Sequence, residues 1–185
     1  MVQYFLGVVP PPEYQAVLKS FHDHSPVSTR PFLPHITVKA QPGLTPDLAW
    51  LEKINAVCAD TEPFNVQLGE PDMFGDRVLF VRVQRSKSPG LYAFHDRLLD
   101  AVNPDPEVSA AYFEPSDVWH AHLTLAVLGD NLTAEDLLDM KKHAAVELSP
   151  FPSFPVEFLR VYRWSGEPGT WYEGLLDIPL GELRS

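Results

Sequence analysis

The chain is short of several things that would otherwise settle its class. One cysteine, Cys58, stands among 185 residues, which excludes an internal disulfide framework and a cysteine-built zinc site. No stretch approaches the ~20 apolar residues of a membrane span. The Met1–Pro10 segment lacks the basic start and long apolar run of a secretory signal, so a cytoplasmic location is expected. Glycine occurs 10 times, never in the spacing of a phosphate-binding loop. Basic residues are scarce: 14 Lys and Arg against 25 Asp and Glu give a net charge of −11. That balance disfavours tight binding to long nucleic acid, which rests on many Lys and Arg contacts to phosphates. A small phosphorylated ligand held by a few local cations remains compatible with it.

What is present is enough for a core. The chain is 45% hydrophobic, its apolar residues fall in periodic runs, and its length suits one domain. At this size roughly two-thirds of the unfolded surface can be buried without a disulfide or metal. Gln3–Pro10 reads as a buried strand stopped by Pro10–Pro12. Glu13–His22 reads as a helix and His22–Arg30 as a polar loop. Leu33–Ala40 reads as a strand, and Thr45 caps a helix to about Ala59, with Pro46 at its first position. Strands follow at Phe64–Leu68 and Val78–Val83, with a turn at Gly75-Asp76 between them. Ser88–Val102 reads as a helix, Asn103–Pro115 as a proline-rich loop, and Trp119–Leu128 as containing a strand. Thr133 caps a helix to about Val146. Phe154–Trp164 and Trp171–Ile178 form a closing strand pair. Strands joined by short turns must be antiparallel, so an α+β fold is expected rather than a doubly wound parallel sheet.

Two segments repeat one another. His35-Ile36-Thr37-Val38 precedes Leu44-Thr45 at a helix start and Phe64-Asn65-Val66 at a strand start. His122-Leu123-Thr124-Leu125 precedes Leu132-Thr133 and Phe154-Pro155-Val156 in the same order, at offsets of 87 to 90 residues. A strand and a helix also precede each motif. The halves, roughly 1–77 and 78–178, therefore read as a pseudo-two-fold internal duplication within one domain. With seven His in the chain, chance would supply about 0.3 His-x-Thr matches. Two such matches inside a longer repeat are a strong signal.

Side chains alternate along a strand with period two. His35 and Thr37 thus share a face, as do His122 and Thr124, with aliphatics behind them. If the halves pack about a pseudo-two-fold axis, the two faces meet across a cleft. Paired imidazoles suit phosphodiester chemistry: one accepts a proton from the attacking water or hydroxyl, the other donates one to the leaving oxygen. Threonine hydroxyls can donate to the non-bridging oxygens as their charge grows. Lys39, at i+4 from His35, falls on the same face by this count and adds a cation; its counterpart is Ala126. Among the strand arginines Arg82, Arg160 and Arg163, Arg163 is the foremost candidate for substrate binding.

The duplicated motif resembles the paired His-x-Thr signature of the 2H phosphoesterase superfamily, which includes 2′-5′ RNA ligase-like proteins and cyclic nucleotide phosphodiesterases. Pro34-His35-Ile36-Thr37-Val38-Lys39 is especially similar to the bacterial ligase-like branch; Ala121 departs from the Pro often found before the second His. The resemblance implies a bilobal α+β fold with two antiparallel sheets and flanking helices around a central cleft. It implies cofactor-free, metal-independent opening of a cyclic phosphate, or chemistry at a 2′-5′ linkage of a nucleotide or RNA end, by a monomer. Ligation is the same displacement reversed. Two other readings stay open: a nucleotide or RNA-end binding module without turnover, and a metal hydrolase using His120 with His122.

Overall fold

The computed structural model describes residues 1–25, 32–129 and 132–181; residues 26–30 of the expected His22–Arg30 loop lie outside them, and the first three residues of that loop are instead the end of a helix. Its elements run β1 (Gln3–Val8), α1 (Pro12–His24), β2 (Ile36–Lys39), α2 (Leu51–Ala59), β3 (Phe64–Phe74), β4 (Val78–Val83), α3 (Pro89–Val102), α4 (Pro106–Ala111), β5 (His122–Val127), α5 (Ala134–Glu147), β6 (Ser153–Val156), β7 (Phe158–Trp164) and β8 (Glu173–Pro179). Every strand pairing is antiparallel. The expected α+β class holds. The strands form one eight-stranded sheet, in the order β6-β3-β4-β5-β2-β1-β7-β8, rather than two separate ones.

Local chemistry accounts for where the elements start and stop. α5 opens with a capping box in which Thr133 and Asp136 exchange hydrogen bonds with each other's backbone, satisfying otherwise orphaned N–H groups. α2 begins later than expected. The Thr45 hydroxyl donates to Asp47 Oδ1 at 2.5 Å, and Leu48 takes a left-handed φ of 60°, so regular helix starts only at Leu51. The proline-rich loop contains α4, capped by the Asp105 carboxylate, which accepts from the N–H groups of Glu107 and Val108.

The core lies on the sheet face opposite the motif histidines. Ile36 and Leu123 are fully buried there, beside Leu6, Val81 and helical residues such as Leu18, Ile54 and Phe94. Fully burying a side chain of this size contributes about 1.5–3 kcal/mol, so these aliphatics fix which face of β2 and β5 points inward. Among the described residues no helix is long and apolar enough to cross a membrane.

Two irregularities shape the centre of the sheet. Between Leu6 and Gly7 the β1–β2 register slips by one residue, leaving Val38 as an extra residue in β2. Between Leu79 and Phe80 the β4–β5 register slips likewise, leaving Leu125 extra in β5. Each bulge therefore follows the Thr of a His-x-Thr motif, at places which the repeat aligns. A bulge reverses the alternation of side chains beyond it.

Candidate active site

β2 and β5 are neighbours, and Ile36 lies opposite Leu123. Continuing that register one residue each way sets His35 opposite Thr124 and Thr37 opposite His122. In an antiparallel pair such neighbours have Cβ atoms about 4.5–5.5 Å apart, and the diagonal pairs about 7–8 Å. The two histidines thus occupy one diagonal of a square and the two threonines the other. The motif strands lie side by side in one sheet instead of facing each other across a gap. The four side chains are half-buried, so they are both positioned and reachable.

Each imidazole is held in the same way. His35 Nδ1 lies 2.5 Å from the carbonyl oxygen of Leu33, and His122 Nδ1 lies 2.6 Å from that of His120. A carbonyl can only accept, so Nδ1 carries the proton in both rings. This leaves Nε2 to meet a ligand. Aromatic side chains brace each ring. Phe5 and Tyr162 stack at 4.4 Å and contact His35 at 4.7 and 5.1 Å. Phe74 and Phe80 contact His122 at 4.9 and 5.2 Å. Gly7 makes room for the first set: a Cβ there would sit 3.2 Å from Tyr162 Cε2 and 3.5 Å from His35 Cβ.

This packing sets the proton affinities. Burial pulls His35 down from the ordinary 6.5 to about 4, and the neighbouring His122 adds to the effect. Burial lowers His122 as well, opposed by its bond to the His120 carbonyl and helped by the charge of His120. Both rings therefore favour the neutral form while the site holds no anion.

The 2′-5′ RNA ligase superfamily matches residues 10–168. The chain belongs to that superfamily. The likeness to the 2H phosphoesterases drawn from the two motifs accordingly holds. Solved structures share the fold across nearly the whole chain. The crystal structure of Escherichia coli LigT complexed with phosphate gives a TM-score of 0.61 at 16% identity, covering 97% of each chain. LigT complexed with 3′-AMP gives 0.62 at 18%, covering 97% of this chain and 98% of that one. A Thermus thermophilus protein gives 0.55 at 20%, covering 97% and 99%. At such identities the likeness carries the fold alone. No match emerges among curated proteins.

Within this superfamily fold the two expected cations do not join the histidines. Lys39 lies beyond the Val38 bulge, so it turns to the opposite face from His35. There it is fully buried, with Nζ 2.6 Å from Glu114 Oε1. Arg163 lies opposite Tyr4 in β7, whereas the next residue back, Tyr162, lies opposite Phe5. Arg163 therefore points away from the histidine face, and its Nη2 pairs with Glu173 at 2.6 Å. Two other arginines share the histidine face. Arg82 sits opposite His122 and pairs with Asp72. Arg160 sits opposite Gly7 and holds Asp177 through two bonds of 2.6 Å. Sequence reasoning named none of the aromatic braces: the register that aims Phe5 and Tyr162 joins β1 to a strand some 155 residues away, and Phe74 and Phe80 reach His122 only through the pairing of the β3–β4 hairpin with β5. His120 is exposed, its ring 6.5 Å from that of Phe74. Among the described residues no group of three His, Cys, Asp or Glu gathers as a metal site would need.

Proposed function

We propose that this protein is a two-histidine phosphoesterase. Its substrate would be a 2′,3′-cyclic phosphate, or a 2′-5′ phosphodiester, at the end of a nucleotide or short RNA, opened without a metal. The observation that carries the reading is the square of His35, Thr124, Thr37 and His122, with both Nε2 atoms left free by bonds at Nδ1. The superfamily supports it, as does the fold shared with LigT structures that hold phosphate and 3′-AMP. The bulges and motifs at matching places also support reading the single domain as two related halves, roughly 1–77 and 78–178.

In this mechanism His35 Nε2 accepts a proton from water as the water oxygen bonds to phosphorus. The bond from phosphorus to the leaving ribose oxygen breaks, and that oxygen takes the proton of His122 Nε2–H. Thr37 and Thr124 donate to the non-bridging oxygens, which gain charge in the transition state. The pair ends with its protonation exchanged and is restored through solvent. His35 is assigned the base role because its proton affinity is pulled down to about 4, making it the neutral member of a singly protonated pair. Replacing water by a 5′-hydroxyl in the same steps gives ligation: the new phosphorus–oxygen bond joins the two ends as the ring bond breaks.

The assignment fixes a pH dependence. His35 must be neutral, so activity requires a pH above about 4. His122 must be protonated, so activity falls once pH passes its value, which lies below 6.5. We expect kcat/KM, which reports the free enzyme, to be bell-shaped with its maximum on the acid side of 6.5 and to fall about tenfold per unit above the upper limb. The profile of kcat should lie higher, because a bound anion favours both imidazolium forms. A kcat/KM still rising through pH ~8 would contradict this pair as acid and base. The direct test is a panel of 2′,3′-cyclic nucleotides and 2′-5′ dinucleotides assayed with and without EDTA. Turnover that EDTA leaves intact is expected; binding of a nucleoside 2′-phosphate with no turnover across the panel would instead favour a binding module.

A further inference from the structure

The buried stripe of α3 holds one polar residue. Leu91, Phe94, Leu98 and Val102 are apolar, and His95 stands among them, 1% exposed. The mechanism makes no use of it. Its Nδ1 lies 2.7 Å from the carbonyl oxygen of Val38, and its Nε2 lies 2.7 Å from that of Glu114. Carbonyl oxygens only accept, so each nitrogen must carry a proton. A neutral imidazole has one N–H and would turn a lone pair on the second oxygen, in a place where water cannot relieve the conflict. The ring also lies flat on the Trp119 indole, with centres 3.8 Å apart and planes 7° from parallel. The face of an indole is its negative side and favours a cation. The Glu114 carboxylate is committed to Lys39, and Asp96 and Asp117 are exposed. Two carbonyl dipoles and one aromatic face therefore serve as the counter-charge of His95.

What the two bonds hold is the end of the first motif. Val38 is the extra residue of the bulge that follows Thr37, and it has no partner in β1. A residue left out of the ladder must find a donor for its carbonyl elsewhere, and His95 supplies one. The bulge lets Thr37 face the histidines while Lys39 faces Glu114 in the core. Without it, period-two alternation would force both side chains onto one face. Either Lys39 would leave Glu114 or Thr37 would leave the site. The second bond fastens the clamp to Glu114, the residue that neutralises Lys39.

We propose that His95 is a doubly protonated clamp, a positioning residue that holds the Val38 bulge and thereby keeps Thr37 aimed at the reacting phosphate. Its effect on turnover rests on the phosphoesterase reading; the two protons and the hold on the bulge do not.

The test begins with the wild-type protein, its histidine nitrogens isotope-labelled for NMR. His95 should give two ring N–H signals that exchange slowly with solvent, with couplings across the hydrogen bonds to the carbonyl carbons of Val38 and Glu114. A single ring N–H signal overturns the proposal. With a nucleoside 2′,3′-cyclic phosphate, His95→Gln should lower kcat about tenfold and leave KM nearly unchanged, because Thr37 acts on charge that develops in the transition state. The glutamine amide nitrogen can donate to one carbonyl, but its oxygen cannot donate to the other. In a Thr37→Ala background the same substitution should cost little further, since the group that His95 positions is already gone. Equal losses in the two backgrounds overturn the positioning role, as does an unchanged kcat in folded His95→Gln. If the wild type turns over no cyclic nucleotide, the phosphoesterase reading falls and amide exchange decides the clamp. The Val38 and Lys39 amides should then exchange faster in His95→Gln, and unchanged protection overturns it.

Discussion

Replacing either His35 or His122 by alanine should lower turnover of a nucleoside 2′,3′-cyclic phosphate by about 10²–10⁴-fold, the contribution of one positioned acid or base. The square makes the two losses interdependent. Proton removal and proton delivery belong to one displacement, so the double variant should be little worse than either single one. Thr37→Ala and Thr124→Ala should have smaller effects, since each removes one hydrogen bond to a non-bridging oxygen, and serine should rescue them. Packing must be kept apart from chemistry, because each imidazole contacts two aromatic rings. Glutamine fills more of that space than alanine, and a thermal melt of His35→Gln and His122→Gln separates lost structure from lost catalysis. Activity surviving in both folded variants would remove the histidines from the mechanism.

What could be read in the sequence was local, and what could not was set by a partner strand. Alternation along β2 and β5 put His35 with Thr37 and His122 with Thr124, because nothing interrupts either strand between those residues. The same counting failed at Lys39. The Val38 bulge arises where β2 slips against β1, and no feature of Val38 itself announces it. The expectation for Arg163 failed for a related cause, because the direction of that side chain is decided by its partner Tyr4 in β1. That β2 and β5 lie side by side, Ile36 against Leu123, was beyond sequence reasoning for the same cause, since strand pairing is a non-local choice. α4 is different. Asp105 followed by Pro106 is a helix-start signal that the surrounding prolines obscured.

Lys39 carries the second large expectation, and it concerns stability. Its side chain and that of Glu114 are 0% and 2% exposed. Lys39 Nζ donates to Glu114 at 2.6 Å and to the carbonyls of Pro42 and Ala40 at 2.6 and 3.0 Å. Glu114 also accepts from the Ala40 N–H and from Ser109 Oγ, tying the end of β2 to the segment after α4. Burial lowers the proton affinity of Lys39, and Glu114 opposes this by favouring the charged form. Removing one partner leaves a buried carboxylate uncompensated, which typically costs 3–5 kcal/mol. Lys39→Met should therefore lower the denaturation midpoint by roughly 10 °C, at about 2–4 °C per kcal/mol for a chain of this size. Adding Glu114→Gln should recover much of that loss: the amide oxygen can still accept from the Ala40 N–H, the amide nitrogen can donate to Ser109 Oγ, and no charge is left behind. A Lys39 acting on substrate phosphate would give the opposite pattern, a raised KM with an unchanged midpoint. That result would sink the structural assignment, because a solvent-facing lysine cannot also be the cation that neutralises Glu114.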